Sequence, residues 1–163
     1  MRRRDLGGTD LRPTELALGT WGLCGDGYGP VPEAEQDRVI ERALTLGIRC
    51  FETAASYAGG AMERRLGRLL AGVPEACVVT KLGTDREGSP PRKRFEADYL
   101  ARAFDESAER LGRSTLDVVL LHHPALATVE RGEATGTLTG LQQGGRVRCW
   151  GVSAGSAEIA RAA

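Results

Sequence analysis

The chain has 163 residues, of which 41% are hydrophobic, 27% charged and 5% aromatic, and its formal net charge is zero. That composition suits one globular domain with a single core, and the even charge balance excludes an overall electrostatic pull toward nucleic acid or an anionic membrane. No apolar run nears the roughly 18 residues that a membrane span needs, and no apolar stretch follows the N-terminal arginines as a secretion signal would, so the expected location is the cytoplasm.

Locally, the clusters Arg2-Arg3-Arg4 and Arg92-Lys93-Arg94 read as solvated segments rather than phosphate sites. Cys24, Cys50, Cys77 and Cys149 are scattered, without a C-x-x-C pair or a His at metal-ligand spacing, and are expected to be reduced thiols. Cys50 and Cys149 fall in predicted strands, where they serve as small apolar residues.

In chain order, "RRRDLGGTDLRPT" has turn residues Gly7 and Gly8 between short stretches and predicts a β-hairpin over residues 1–14. "ELALGTW", from Glu15 to Trp21, is a first apolar strand, and the glycine-rich loop after it ends in a proline suited to a helix start. Val39, Ile40, Ala43 and Leu44 mark one face of that helix, and Gly47 stops it. The strand "IRCFETA" follows, then a helix from Glu63 to Leu70 closed by Gly72 and Pro74, then the strand "ACVVTKLG", whose apolar residues run without alternation. Leu100, Ala103, Phe104, Ser107, Ala108 and Leu111 form the stripe of a long amphipathic helix that Gly112 ends. The strand "LDVVLLHHP", a shorter helix near Leu138 to Gln143, the strand "VRCWGVSA" and the start of a last helix, "SAEIARAA", complete the order.

Strands that alternate with helices and are apolar on both faces predict a parallel sheet with right-handed crossovers. A doubly wound dinucleotide fold would place G-x-G-x-x-G directly between its first strand and first helix, and "GTWGLCGDGYG" lacks that spacing. A (β/α)8 barrel instead gathers functional side chains at the C-terminal ends of its strands. Here Thr20 and Trp21 follow the first strand, Glu52 ends the second, Lys81 the third, His122 the fourth and Ser153 the fifth. The expected fold is therefore an incomplete barrel of about five parallel strands, forming a single domain over residues 1–163, with the N-terminal hairpin plugging the end opposite the mouth.

In this order and at these intervals, five segments resemble the aldo-keto reductases. "LGGTDLRPTELALGTW" is similar to the family's hairpin and first strand, "GIRCFETAASYAGGAMERRLG" to its second strand and tyrosine loop, and "VVTKLG" to its lysine strand. "DVVLLHHP" is similar to its histidine strand and "GRVRCWGVSA" to its fifth, so the resemblance covers essentially the whole chain. It implies an oxidoreductase that reduces an aldehyde or ketone with a hydride from NADP(H) and a proton from a tyrosine, here Tyr57. A free tyrosine titrates near about 10, and a neighbouring ammonium, matched by Lys81, favours the phenolate and shifts it down. His122 matches the family's carbonyl-orienting histidine, and His123 takes a position usually aromatic. Thr20 and Trp21 match positions lining the nicotinamide and pyrophosphate side.

Two positions depart from the family pattern. Glu52 stands where the family has an aspartate, and its extra bond adds about 1.5 Å, when a misplacement of about 1 Å can cost around a hundredfold in rate. Either the lysine swings to compensate or activity is low. Ser153 matches one carboxamide anchor, but Ala154 replaces the asparagine expected beside it. The paired histidines lack a further ligand at metal spacing, so no metal is expected. No basic excess implies a nucleic-acid partner, and no membrane partner is expected.

A whole barrel of this kind needs about 250 residues, with a floor near 200, so three βα units are expected to be missing. In the family those units carry the aromatic that stacks on the nicotinamide and the basic loop for the 2′-phosphate, and NADP(H) is accordingly expected to bind weakly or not at all. The open sheet edges predict self-association or pairing with a C-terminal half-barrel partner. A non-catalytic remnant or assembly module is the alternative to the carbonyl reductase. The loop "DREGSPPRKRFEAD" is read as a mobile surface segment overhanging the mouth, placed to touch substrate.

Overall fold

In the computed structural model, which describes residues 1–87 and 90–163, the predicted strands and helices from the first apolar strand onward are present in the predicted order, whereas the N-terminal hairpin expected over residues 1–14 forms only a single bridge. Strand β1 (Leu18–Gly19) leads to helix α1 (Glu33–Thr45), β2 (Cys50–Glu52), a 3-10 turn over Tyr57–Gly60, α2 (Ala61–Leu70) and β3 (Cys77–Leu82). A small hairpin of β4 (Thr84–Asp85) and β5 (Arg92–Lys93) comes next, then α3 (Ala97–Leu111), β6 (Leu116–His122), α4 (Leu126–Glu130), α5 (Glu133–Gln143), β7 (Val147–Ser153) and α6 (Ala157–Ala162).

The main sheet is all parallel, in the order β1-β2-β3-β6-β7. Each successive strand adds to the same side, whereas a doubly wound sheet reverses direction at a switch point. This is five strands' worth of a (β/α)8 barrel. Among the described residues no helix is long and apolar enough to cross a membrane.

The two faces of the sheet divide by strand alternation. Phe51, Val78, Leu82, Val119 and Leu121 pack against the helices, where Ile40, Met62, Leu66, Leu100, Phe104 and Leu138 complete the main core. Cys77 and Val118 point to the concave side with Val79, Leu120 and Cys149, and Leu11 of the N-terminal segment covers them there. That segment is looser than a ladder. It is held by one antiparallel bridge, Arg3 to Thr14, and by the Arg4 and Leu6 N–H groups donating to the Pro13 and Leu11 carbonyls.

Three local expectations need correction. The first strand is only Leu18–Gly19, because the chain turns at Thr20, whose N–H donates to the Glu52 carbonyl, and Trp21 leaves the sheet. Helix α5 begins five residues before Leu138, at Glu133; Gly136 and Gly140 hide it by propensity, and Thr137 and Thr139 occupy their hydroxyls on carbonyls one turn back. The segment from Asp85 to Asp98 is not a free surface loop, since Arg92–Lys93 within it forms β5 and pairs with β4 at its start, though Gly88 and Ser89 lie outside the described residues. Arg92 and Lys93 within it are exposed, as expected of a solvated segment, and they also make contacts: Arg92 and Arg94 bridge to the buried Asp85 and Lys93 donates to the His122 carbonyl.

Helices α2 and α3 cross closely at Gly67. A Cβ there would stand 2.6 Å from the Arg110 carbonyl oxygen and 2.9 Å from the Leu111 carbonyl carbon, which is backbone that cannot step aside. Beside the crossing, buried Glu63 accepts from Thr80 Oγ1 at 2.5 Å and Arg110 Nε at 2.7 Å, tying α2 to both β3 and α3. Although alanine is the better helix former, Gly67→Ala is expected to destabilise the fold by about 1–3 kcal/mol through overpacking. Denaturant unfolding checks this, and an unchanged or higher midpoint would contradict the close crossing.

Candidate active site

Register creates the site. Glu52 pairs with Val79, and Lys81, two residues further along β3, is on the same face and one layer nearer the strand ends. The Lys81 side chain is 8% exposed. Its ammonium forms an ion pair with Glu52 Oε1 and donates to the Thr53 carbonyl at 2.9 Å and to Tyr57 Oη at 2.9 Å. The three acceptors come from the end of β2 and the turn that follows it. His122, at the end of β6, stands with its ring centroid 6.1 Å from that of Tyr57 and nearly perpendicular to it.

The reach of Glu52 is met by empty space on the neighbouring strand. Gly19 pairs with Glu52, and a Cβ on Gly19 would lie 3.3 Å from Glu52 Oε2. The longer acid therefore fits against bare backbone, and Lys81 meets Glu52 and Tyr57 together.

Tyr57 is held from both sides. Ala58, the residue after it, has φ 48°, and Gly59 and Gly60 also have positive φ. Asp26, in the loop after β1, accepts the Ala58 N–H at 3.2 Å. Arg86, beyond β4, donates to the Ser56 carbonyl at 2.7 Å and to Asp26 at 2.6 Å. An ion pair thus grips the backbone on each side of Tyr57. Asp26 and Arg86 escaped sequence reasoning because they lie 60 residues apart, in separate loops, and match no motif.

A cavity of about 480 Å³ opens at this place, lined by Trp21, Tyr57, His122, His123, Thr84 and Arg86 among others. Trp21 lies against Gly27, where a Cβ would come within 2.6 Å of the indole, and packs edge-on to Tyr28 with centroids 5.1 Å apart. Thr20 is different: it is buried, and its hydroxyl donates to the Glu52 carbonyl at 2.9 Å. Ser153 is half-buried at the end of β7, opposite His122 in the ladder, and its carbonyl accepts the His123 N–H at 3.1 Å. Lys93 and Thr84 also enter the site, unforeseen, because the hairpin that carries them was not legible in a charged, proline-containing stretch. Lys93 Nζ donates to Thr84 Oγ1 at 2.7 Å and to the His122 carbonyl at 2.7 Å, and Thr84 Oγ1 lies 3.3 Å from His122 Nδ1.

Burial governs the titration of these groups. It pushes Lys81 down to about 8, while the Glu52 carboxylate opposes that by favouring the ammonium. It pushes the Tyr57 phenol up, with Cys24 nearby adding to the effect, so the net displacement is opposite to the lowering expected from Lys81 alone. Burial, then the charges of Lys93 and Lys81 and the neighbouring His123, bring His122 down to about 3. At neutral pH the site combines a protonated phenol, an ammonium and a neutral imidazole. Among the described residues, no group of three or more His, Cys, Asp or Glu side chains is placed to hold a metal ion.

A model of the Aldo/keto reductase family matches residues 15–163. The chain belongs to that family. It is 30% identical to a pyridoxal 4-dehydrogenase of Microbacterium luteolum over 98% of this chain and 57% of the relative. It is 31% identical to an L-galactose dehydrogenase of Arabidopsis thaliana over 92% of this chain and 47% of the relative. Among solved structures, a glycerol dehydrogenase from Gluconobacter oxydans superposes with a TM-score of 0.82 at 31% identity, over 96% of this chain and 50% of that one. An aldo-keto reductase from Bacillus halodurans, in a holo form, also gives 0.82, at 28% identity over 94% and 50%. The chain spans about half the length of the curated relatives it matches.

The lowered affinity of His122 for a proton has a consequence for stability. The unfolded chain takes up that proton near about 6.5 and the folded chain only near 3, so between these values the unfolded state binds more protons and stability falls as pH falls. Above about 6.5 the contribution is complete. His122→Asn is expected to remove this part of the acid sensitivity. Urea unfolding of both proteins at pH 7 and pH 4.5 checks it, and equal losses of stability would show that His122 titrates normally.

Proposed function

We propose that this aldo-keto reductase chain carries the proton-delivery half of an NADP(H)-linked carbonyl reduction, with Tyr57 as general acid. The observation that carries the reading is the hydrogen bond from Lys81 Nζ to Tyr57 Oη at 2.9 Å. An ammonium can only donate, so Tyr57 Oη accepts from it and its own hydrogen is left to donate elsewhere. Its neighbours Trp21, His122 and His123 line the cavity with it, where a small carbonyl substrate would meet the phenol.

Phenol, ammonium and neutral imidazole supply hydrogen bonds and a proton but no electron pair to carbon, so the donor set fits a reaction in which a reduced nicotinamide, when bound, provides the hydride. Trp21 and Ser153 are the residues of this chain that would hold it. Thr20 would contribute shape alone, its hydroxyl being taken by the Glu52 carbonyl. As negative charge develops on the carbonyl oxygen, Tyr57 transfers its proton there and becomes a phenolate, which Lys81 stabilises across the same hydrogen bond. Glu52 keeps Lys81 charged and aimed. His122, neutral, donates to the same oxygen and orients it. For the reverse reaction, oxidation of an alcohol, the same groups act in the opposite sense.

The relatives named for pyridoxal, L-galactose and glycerol oxidation, and one from Novosphingobium aromaticivorans named 6-dehydroglucose reductase, favour a small polar carbonyl or alcohol as the substrate class. Titration with NADPH by fluorescence, followed by absorbance with an added aldehyde, is expected to give weak binding together with oxidation. Tyr57→Phe should lose turnover by at least about a hundredfold, with an unchanged circular dichroism spectrum. Retained turnover in Tyr57→Phe would remove the acid assignment. Neither binding nor oxidation by the unmodified chain would favour the non-catalytic reading instead.

A further inference from the structure

A neutral imidazole carries its proton on one nitrogen only, and which one decides whether His122 can donate to an oxygen in the cavity. The ring is kept neutral by burial and by the charges of Lys93 and Lys81, so the choice falls to its hydrogen-bond partners. On one side, Nδ1 lies 3.3 Å from Thr84 Oγ1. A threonine hydroxyl can donate to that nitrogen or accept from it, and by itself would not discriminate.

Lys93 breaks the symmetry. Thr84 and Lys93 are direct partners in the β4–β5 ladder, and the Lys93 ammonium donates to Thr84 Oγ1 at 2.7 Å while a second of its hydrogens goes to the His122 carbonyl at 2.7 Å. The ammonium occupies a lone pair of the hydroxyl and polarises it, which favours turning the Thr84 hydrogen toward an acceptor and disfavours a second incoming N–H. His122 Nδ1 is then the acceptor and the ring proton sits on Nε2. The contact to the His122 carbonyl fixes the backbone of the same residue, so the hairpin holds His122 at two points, one on the ring and one on the backbone.

We propose that Thr84 and Lys93 are positioning residues that set His122 in its Nε2–H tautomer, ready to donate from Nε2 to an oxygen in the cavity. The tautomer and its cause stand on the Thr84 and Lys93 contacts to a neutral ring and do not depend on the reaction; only the use of that donor on a carbonyl rests on the function proposed for the site.

The test is a long-range proton–nitrogen correlation spectrum of the full chain labelled with nitrogen-15 histidine at pH 7, with no nucleotide or carbonyl added. The His122→Asn variant identifies which signals belong to His123. In the unmodified chain, His122 Nδ1 is expected to be pyridine-like and Nε2 pyrrole-like. Thr84→Val should move the Nδ1 resonance to that of a nitrogen without a hydrogen bond, and Thr84→Ser should restore it. Lys93→Met should introduce a measurable Nδ1–H population, because Thr84 Oγ1 is then free to accept. A proton on Nδ1 in the unmodified chain would overturn the proposal, as would spectra of Thr84→Val and Lys93→Met identical to the unmodified one. Where turnover is measurable, Thr84→Val should lower kcat by about tenfold, the worth of roughly one hydrogen bond, with KM little changed. Expected spectra in a chain without turnover would leave the positioning intact and count against the carbonyl reductase reading alone.

Discussion

A lysine taken out of water must find acceptors or give up its proton. Lys81 finds three, the Glu52 carboxylate, the Thr53 carbonyl and the Tyr57 hydroxyl, and the rest of the site is arranged around that requirement. Two of the acceptors belong to β2 and the residue after it, so they are delivered by the β2–β3 register. A slip of one residue would turn Lys81 to the helix-facing side and Thr80 to the mouth. Such a slip would also break the Thr80 bond to Glu63 on the opposite face, where Glu63 is tied in turn to Arg110. Buried polar partners on both faces of β3 thus specify one register, a role that apolar packing alone fills less strictly.

The third acceptor comes from a turn that would not hold its shape unaided. A left-handed alanine costs of order 1–2 kcal/mol, and Ala58 is followed by two glycines with positive φ. The Asp26–Arg86 pair offsets this by binding the backbone on both sides of Tyr57, and Arg110 packs beneath Gly60, where a Cβ would lie 2.8 Å from its Cδ. His123 has φ 53° as well. Among the described residues, both backbone outliers other than glycine therefore adjoin a residue of the site, Tyr57 in one case and His122 in the other. The strain lies where side chains must be aimed out of regular elements.

The strand-end residues were legible because each follows an apolar run whose direction is fixed by the helix before it. Glu52, Lys81, His122 and Ser153 each sit at the same end of a parallel strand, and periodicity suffices to put them there. Tyr57 was legible only through family resemblance, since it stands in a turn whose left-handed path leaves no periodic trace. What supports it was not legible at all. Asp26, Arg86, Thr84 and Lys93 act through contacts between loops, and a charged stretch such as "PPRKRFEAD" has the composition of a surface loop whether or not it folds back. The same blindness applied to Thr20, whose place beside Trp21 suggested a ligand contact while its hydroxyl is used within the sheet. Composition reveals which residues could be polar and exposed; only tertiary pairing decides which of them are consumed internally.

A glutamate at position 52, where the family resemblance leads one to expect an aspartate, tests how the surroundings accommodate a longer acid. An added methylene lengthens the side chain by about 1.5 Å, enough to overshoot a fixed lysine if both groups had rigid surroundings. Here neither is fully constrained. Lys81 has a long flexible stem, while Glu52 faces Gly19, which has no side chain to block it. Glu52 Oε2 lies on the side of β1, beside Gly19, while Oε1 pairs with Lys81, and the bond from Lys81 to the phenol is 2.9 Å. The ammonium of Lys81 thereby meets the Glu52 carboxylate and the Tyr57 hydroxyl at once.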